Sequence, residues 1–150
     1  VLALSRQNLP CVVRSRETMG DVSRGAYIVK ESNNSTPEAI VIATGSEVEL
    51  AIKAAAELAD VDVRVVSMPC AEVFEEQSRE YRDFVLPPHV RARVAVEAAQ
   101  ADWWAKYVGL DGQVIGMRSF GESAPAKDLF VHFGFTVEAV KSAVKKLVRK

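Results

Sequence analysis

Ala39-Ile40-Val41-Ile42-Ala43 is an unbroken apolar run, which suits a strand buried on both faces of a parallel sheet. Thr44-Gly45 breaks it, and Ser46 with Glu49 three residues on reads as a capping box opening a helix. Val48, Ala51, Ile52, Ala55 and Leu58 then recur at helical spacing and make one apolar stripe. This strand–turn–helix unit is the frame on which the remaining pattern hangs.

Upstream, Val1-Leu2-Ala3-Leu4 reads as the end of a buried strand. Residues 7–24 are polar and aperiodic, as a linker would be, and Arg14, Arg16 and Arg24 lie among them. Gly25 to Lys30 reads as a short strand. The turn cluster Asn33-Asn34-Ser35-Thr36-Pro37 predicts a hairpin-like return, so this strand is expected antiparallel to the next. Downstream, strands are predicted over 61–68, 91–98 and 113–117. One or two short helices are predicted over 72–86, stopped by Pro87-Pro88. Asp102 is placed to cap a short helix carrying Trp103, Trp104 and Tyr107, closed by Gly109. After the loop 120–125 come a helix over 126–133, ended by Gly134, and a last helix capped by Thr136. In that helix Phe135 and Val140 are spaced for a hydrophobic staple, and Val137, Val140, Val144, Leu147 and Val148 form the buried stripe. Alternating strands and helices predict an α/β fold: a three-layer α/β/α arrangement around a mostly parallel five-stranded sheet with one antiparallel edge strand.

Composition changes this picture little. The 150 residues suit one domain with a real core, and 49% hydrophobic with 26% charged residues is ordinary for a globular chain. A net charge of −1 gives no electrostatic case for nucleic acid or an anionic membrane. No apolar run approaches the roughly 20 residues of a membrane helix. Cys11 and Cys70 make no disulfide framework, which points to a reducing compartment. The opening Val1 to Leu4, without Met or a signal-peptide pattern, leads to the expectation of a piece of a longer polypeptide, with a processed N-terminus as the alternative.

Candidate chemistry is sparse. Thr44-Gly45-Ser46 precedes a helix N-terminus, which serves either as a simple cap or as an anion cradle; it is neither G-x-G-x-x-G nor a phosphate-binding Gly-Lys-Ser/Thr loop. Gly121-Glu122-Ser123 lacks the nucleophile-elbow pattern and reads as a helix-entry loop with Pro125 in the first turn. His89 and His132 have no companion ligand nearby in sequence, so a metal site has little support. Trp103, Trp104 and Tyr107 read as core, interface or binding platform. Glu97, ending a buried strand, reads as a perturbed carboxylate or a salt-bridged one. Arg6 follows a strand directly, between Ser5 and Gln7-Asn8. It suits a bidentate grip on phosphate or carboxylate, or else an interdomain salt bridge.

Six stretches together resemble the C-terminal region of transketolase: 4–10 (LSRQNLP), 24–27 (RGAY), 42–48 (IATGSEV), 65–69 (VVSMP), 93–98 (RVAVEA) and 120–126 (FGESAPA). The resemblance departs at 71–74 (AEVF), where Asp more often precedes the Phe, and at Ala99, where many members carry Gly. It implies that residues 1–8 end a pyrimidine-binding domain, 9–24 form a linker and 25–150 the transketolase C-terminal domain. It further implies a homodimeric, cytoplasmic enzyme using thiamine diphosphate and a divalent metal (magnesium or calcium) to move a two-carbon ketol unit between sugar phosphates. On this resemblance Arg6 is a substrate-phosphate contact, and no cofactor, metal or catalytic residue lies in this segment. The 150 residues alone are then expected to be inactive. The alternatives are a regulatory module binding a nucleotide or anion near Gly45 and Ser46, or a purely structural assembly domain with the Trp103 to Tyr107 patch as its interface.

Overall fold

In the computed structural model, residues 7–11, 20–34 and 36–149 are described. The predicted strand 1–4 and Arg6 lie outside them. Five strands form one sheet: β1 (Tyr27–Lys30), β2 (Ala39–Ala43), β3 (Val63–Ser67), β4 (Arg93–Gln100) and β5 (Gln113–Met117), in the order β1-β3-β2-β4-β5. The pairs β3–β2, β2–β4 and β4–β5 are parallel, and β1 alone runs antiparallel, as the pattern predicts.

All five residues of β2 and of β3 are buried, so both strands carry near-continuous apolar runs. Alternation then sends side chains to two layers. Val41, Val65, Val94 and Val96 pack with α1 (Glu47–Glu57) and the last helix, α6 (Val137–Val148). Ile40, Ile42, Val66 and Ala95 pack on the other face with Phe74 of α2 (Ala71–Glu75), Val85 of α3 (Arg79–Val85) and Tyr107 of α4 (Ala105–Val108). A separate helix, α5 (Ala126–His132), buries none of its residues fully. At the start of α6 the Ala139 amide donates to Thr136 Oγ1 at 3.1 Å, with Phe135 and Val140 buried beside it, which is the predicted cap and staple.

Four local expectations are corrected. The strand 25–30 does not return as a hairpin: β1 pairs with β3, in the register Tyr27↔Ser67 and Ile28↔Val66. Both edges of β2 are taken by parallel partners, and the connecting turn is drawn to the start of β3. There the Asn33 and Asn34 amides donate to Asp62 Oδ1 and Oδ2 at 2.7 and 2.8 Å. Ser46 makes no capping box. Its own backbone is helical (φ −66°, ψ −26°), its hydroxyl donates to Glu47 Oε2 at 2.9 Å, and Glu49 pairs with Lys53 one turn on. Asp102 does not cap, because the turn starts a residue earlier as a 3-10 segment, Ala101–Trp104, that runs into α4. Pro125 stands just before α5 rather than in its first turn, and its carbonyl accepts from the Asp128 and Leu129 amides.

The end of the stretch read as linker, Gly20–Arg24, forms a 3-10 turn that leads to Gly25 at φ +83°. A Cβ there would lie 2.2 Å from the Cys70 carbonyl oxygen, so only glycine lets this entry lie against α2.

Candidate functional site

Parallel strands place all their C-terminal ends on one side of the sheet. In the order β3-β2-β4 the connection after β2 leaves over one face, and those after β3 and β4 leave over the other. That divergence opens a crevice, the usual ligand position in such folds. Here it has a volume of about 250 Å³ and is lined by Thr44, Met68, Cys70, Glu72, Glu97 and Trp103, among others. A second cavity of about 210 Å³ shares Ala71, Glu72 and Trp103 and continues to Glu75, Lys106 and Tyr107.

Each wall follows from local sequence. The β4 alternation that buries Val94 and Val96 on one face turns Ala95 and Glu97 to the other, toward Trp104. Trp104 is buried and its Nε1–H donates to Glu97 Oε2 at 2.8 Å, which gives the indole nitrogen the partner it needs inside a core. Trp103, one residue earlier, points outward and is 48% exposed. Its ring stands edge-on to Trp104 at 4.9 Å and tilted toward Tyr107 at 5.6 Å. Of the alternatives for these aromatics, Trp104 and Tyr107 are core and Trp103 is cavity wall.

The electrostatics are acidic. Glu47, only 5% exposed, sits at the first turn of α1, accepts the Ala98 amide at 2.9 Å through Oε1 and takes the Ser46 hydroxyl on Oε2. A carboxylate thus already occupies the helix N-terminus where an anion would bind. Burial, with the nearby Glu47 charge adding to it, pushes the Glu97 carboxyl above the usual carboxylate range, against the opposing Trp104 hydrogen bond. Glu72 accepts a weak bond from Cys70 Sγ at 3.6 Å. Among the described residues neither Glu72 nor Glu97 has a cationic partner, whereas Glu75 next door has two, Arg82 at 3.2 Å and Lys106 at 3.0 Å. Glu97 is therefore the perturbed carboxylate of the two readings, not a salt-bridged one.

Other candidates do not converge on the crevice. His132 lies 3.9 Å from Glu122 with both side chains exposed, and His89 is exposed in the turn before β4. Among the described residues no three His, Cys, Asp or Glu side chains come together to hold a metal. Gly121 to Ser123 form an exposed loop. Glu47, Cys70 and Glu72 escape sequence reasoning. The only signal for Glu47 is an acidic residue one place after the turn, and its contact with Ala98 spans 51 residues. No helix is long and apolar enough to cross a membrane among the described residues.

A family model described as "Transketolase-like TK C-terminal domain" matches residues 25–136. The chain is 55% identical over 149 residues to "Transketolase 2" of Vibrio parahaemolyticus, covering 98% of this chain and 22% of that protein. Among solved structures, transketolase from Leishmania mexicana superposes with a TM-score of 0.80 at 42% identity, covering 87% of this chain and 19% of that one. A transketolase mutant from Pichia stipitis gives 0.84 at 36% identity, covering 96% and 20%. The chain therefore spans about a fifth of the length of these relatives.

Proposed function

The chain belongs to the transketolase family, matching its C-terminal domain, and from that premise we propose that it is the C-terminal part of an enzyme transferring a two-carbon ketol unit from a ketose phosphate to an aldose phosphate. The observation that carries this reading is the 55% identity to a transketolase over 98% of the chain. In the same reading residues 1–8 close a pyrimidine-binding domain, 9–24 are a linker and 25–150 are the C-terminal domain. The start of the family match at residue 25 supports that last boundary. The full-length protein is a cytoplasmic homodimer acting on sugar phosphates.

Thiamine diphosphate and a divalent metal, magnesium or calcium, supply the carbon nucleophile when bound. The described residues do not fit them. The crevice presents carboxylates where a pyrophosphate needs donors, and no metal-ligand set comes together among the described residues. We assign both to the upstream four-fifths of the polypeptide. What this chain contributes is a packed buttress and Arg6, the substrate-phosphate contact. A guanidinium gripping the phosphate uses binding energy remote from the carbonyl to position it, and a charge-assisted hydrogen bond contributes about 1.5–3 kcal/mol.

Steady-state kinetics of Arg6→Ala in the full-length enzyme test this. With phosphorylated sugars kcat/KM is expected to fall roughly 10- to 100-fold, with little change for a non-phosphorylated ketose. Equal losses for both substrates would remove the phosphate role. A nucleotide or anion at Gly45 and Ser46 is the weaker reading, because Glu47 and Glu97 repel it there.

A further inference from the structure

The strand-end crevice has the shape of a ligand site and the wrong charge for the phosphates that such crevices usually receive. Its features name a different ligand. Glu97 holds one hydrogen bond, on Oε2 from the Trp104 indole, while Oε1 has no partner among the described residues. Glu97 lines the cavity beside the Trp103 indole, whose ring is half exposed and held edge-on by Trp104 and tilted by Tyr107. A half-exposed indole in the same cavity wall as a half-buried carboxylate is an environment that attracts a planar or compact cation, by ring quadrupole and charge-assisted hydrogen bond together. Glu72, exposed at the start of α2, adds a second carboxylate with no cation among the described residues, and the Glu75–Lys106 pair marks where the acidic stretch ends.

We propose that this crevice binds a guanidinium or ammonium group, stacked on the Trp103 indole and hydrogen-bonded to Oε1 of Glu97. A cavity of about 250 Å³ admits such a head group with part of its alkyl stem. The cation comes either from a small molecule or from a basic side chain of the same polypeptide, and the chemistry is shared.

The test titrates N-acetyl-arginine amide against the chain, read by calorimetry and by the Trp103 indole signal in NMR. Its neutral isostere N-acetyl-citrulline amide and inorganic pyrophosphate are run beside it. Saturable binding of the arginine probe is expected, with the citrulline probe weaker by about 10-fold or more and pyrophosphate not binding. Glu97→Gln and Trp103→Leu, each checked to keep one cooperative thermal melt no lower than a few degrees below wild type, should each weaken the arginine probe by about 5-fold or more. Repeating the titration on the full-length polypeptide separates the two sources. Retained binding identifies a free cation, and binding seen only in the isolated chain identifies a side chain that fills the crevice. Equal affinity for the two amides, no saturation by the arginine probe in the isolated chain, or preference for pyrophosphate would overturn the proposal, and the neutral-probe comparison holds even if a variant fails to fold.

Discussion

The two ends of the sheet partner their charges differently. At the N-terminal ends of the parallel strands every buried charge is answered. Asp62 takes the Asn33 and Asn34 amides, while its own amide donates to Glu38 Oε2 at 2.8 Å. Arg64, buried on β3, donates to Glu31 Oε1 at 2.8 Å and to the Phe84 and Val85 carbonyls that end α3. Arg93, the first residue of β4, donates to the carbonyls of Leu86, Pro87, Val90 and Tyr107. At the C-terminal ends Glu47 is held by the Ala98 amide and the Ser46 hydroxyl, but half-buried Glu97 and exposed Glu72 have no cation among the described residues, and an indole faces solvent. The same sheet therefore has one end where polar groups lock loops to strands and one where, Glu47 aside, carboxylates stay uncommitted to a cation among the described residues. The first is what a buttress needs; the second is what a ligand needs.

The sharpest way to break this comparison is to remove a lock. Arg93→Met keeps the stem and deletes four donors held at 2.8 to 3.1 Å from their carbonyls. The loop 86–90 and the end of α4 then lose their common tie, and a loss of about 2–4 kcal/mol in urea unfolding is expected. Asp62→Ala is the next smaller step. It strands the Asn33 and Asn34 amides and frees the turn that carries β1 to β3, for about 1–3 kcal/mol. Asp62→Asn keeps one acceptor oxygen and should fall between wild type and Asp62→Ala. A near-neutral Arg93→Met would mean that water replaces the guanidinium at those carbonyls, and the two ends would no longer differ in kind.

How much of this was legible in the sequence follows from the range of each interaction. The β2–α1 unit, the burial of Val63 to Ser67 and the Thr136 cap are local patterns with a period of their own, and they read directly. The partner of β1 did not read. A turn cluster announces a reversal but not where the chain goes, and the choice is made by Asp62, 28 and 29 residues away. The crevice was half legible. Glu97 and the aromatics declared themselves by position on a strand end and a short helix. The sign of the site did not, because it depends on Glu47 reaching Ala98 of β4 and on the lack of a cation beside Glu72 among the described residues, both facts of packing. Arg6, read from its neighbours and from the family resemblance, rests on sequence alone.

The smallest expected effect lies at the uncommitted end and probes its sign. Burial raises the Glu97 carboxyl above its ordinary value of 4.5, so the folded chain holds that proton more tightly than the unfolded chain does. Stability from this group is then greatest below the unfolded value and declines as pH rises through the folded one. Glu97→Gln cannot titrate but still offers an oxygen to the Trp104 indole. Wild type and variant should therefore melt alike near pH 4, while at pH 7 the variant should be the more stable by less than about 1 kcal/mol. Parallel thermal melts of the two proteins across that range measure the difference. A variant less stable than wild type at pH 7 would mean that something positive already answers Glu97, and the acidic crevice would then be another lock.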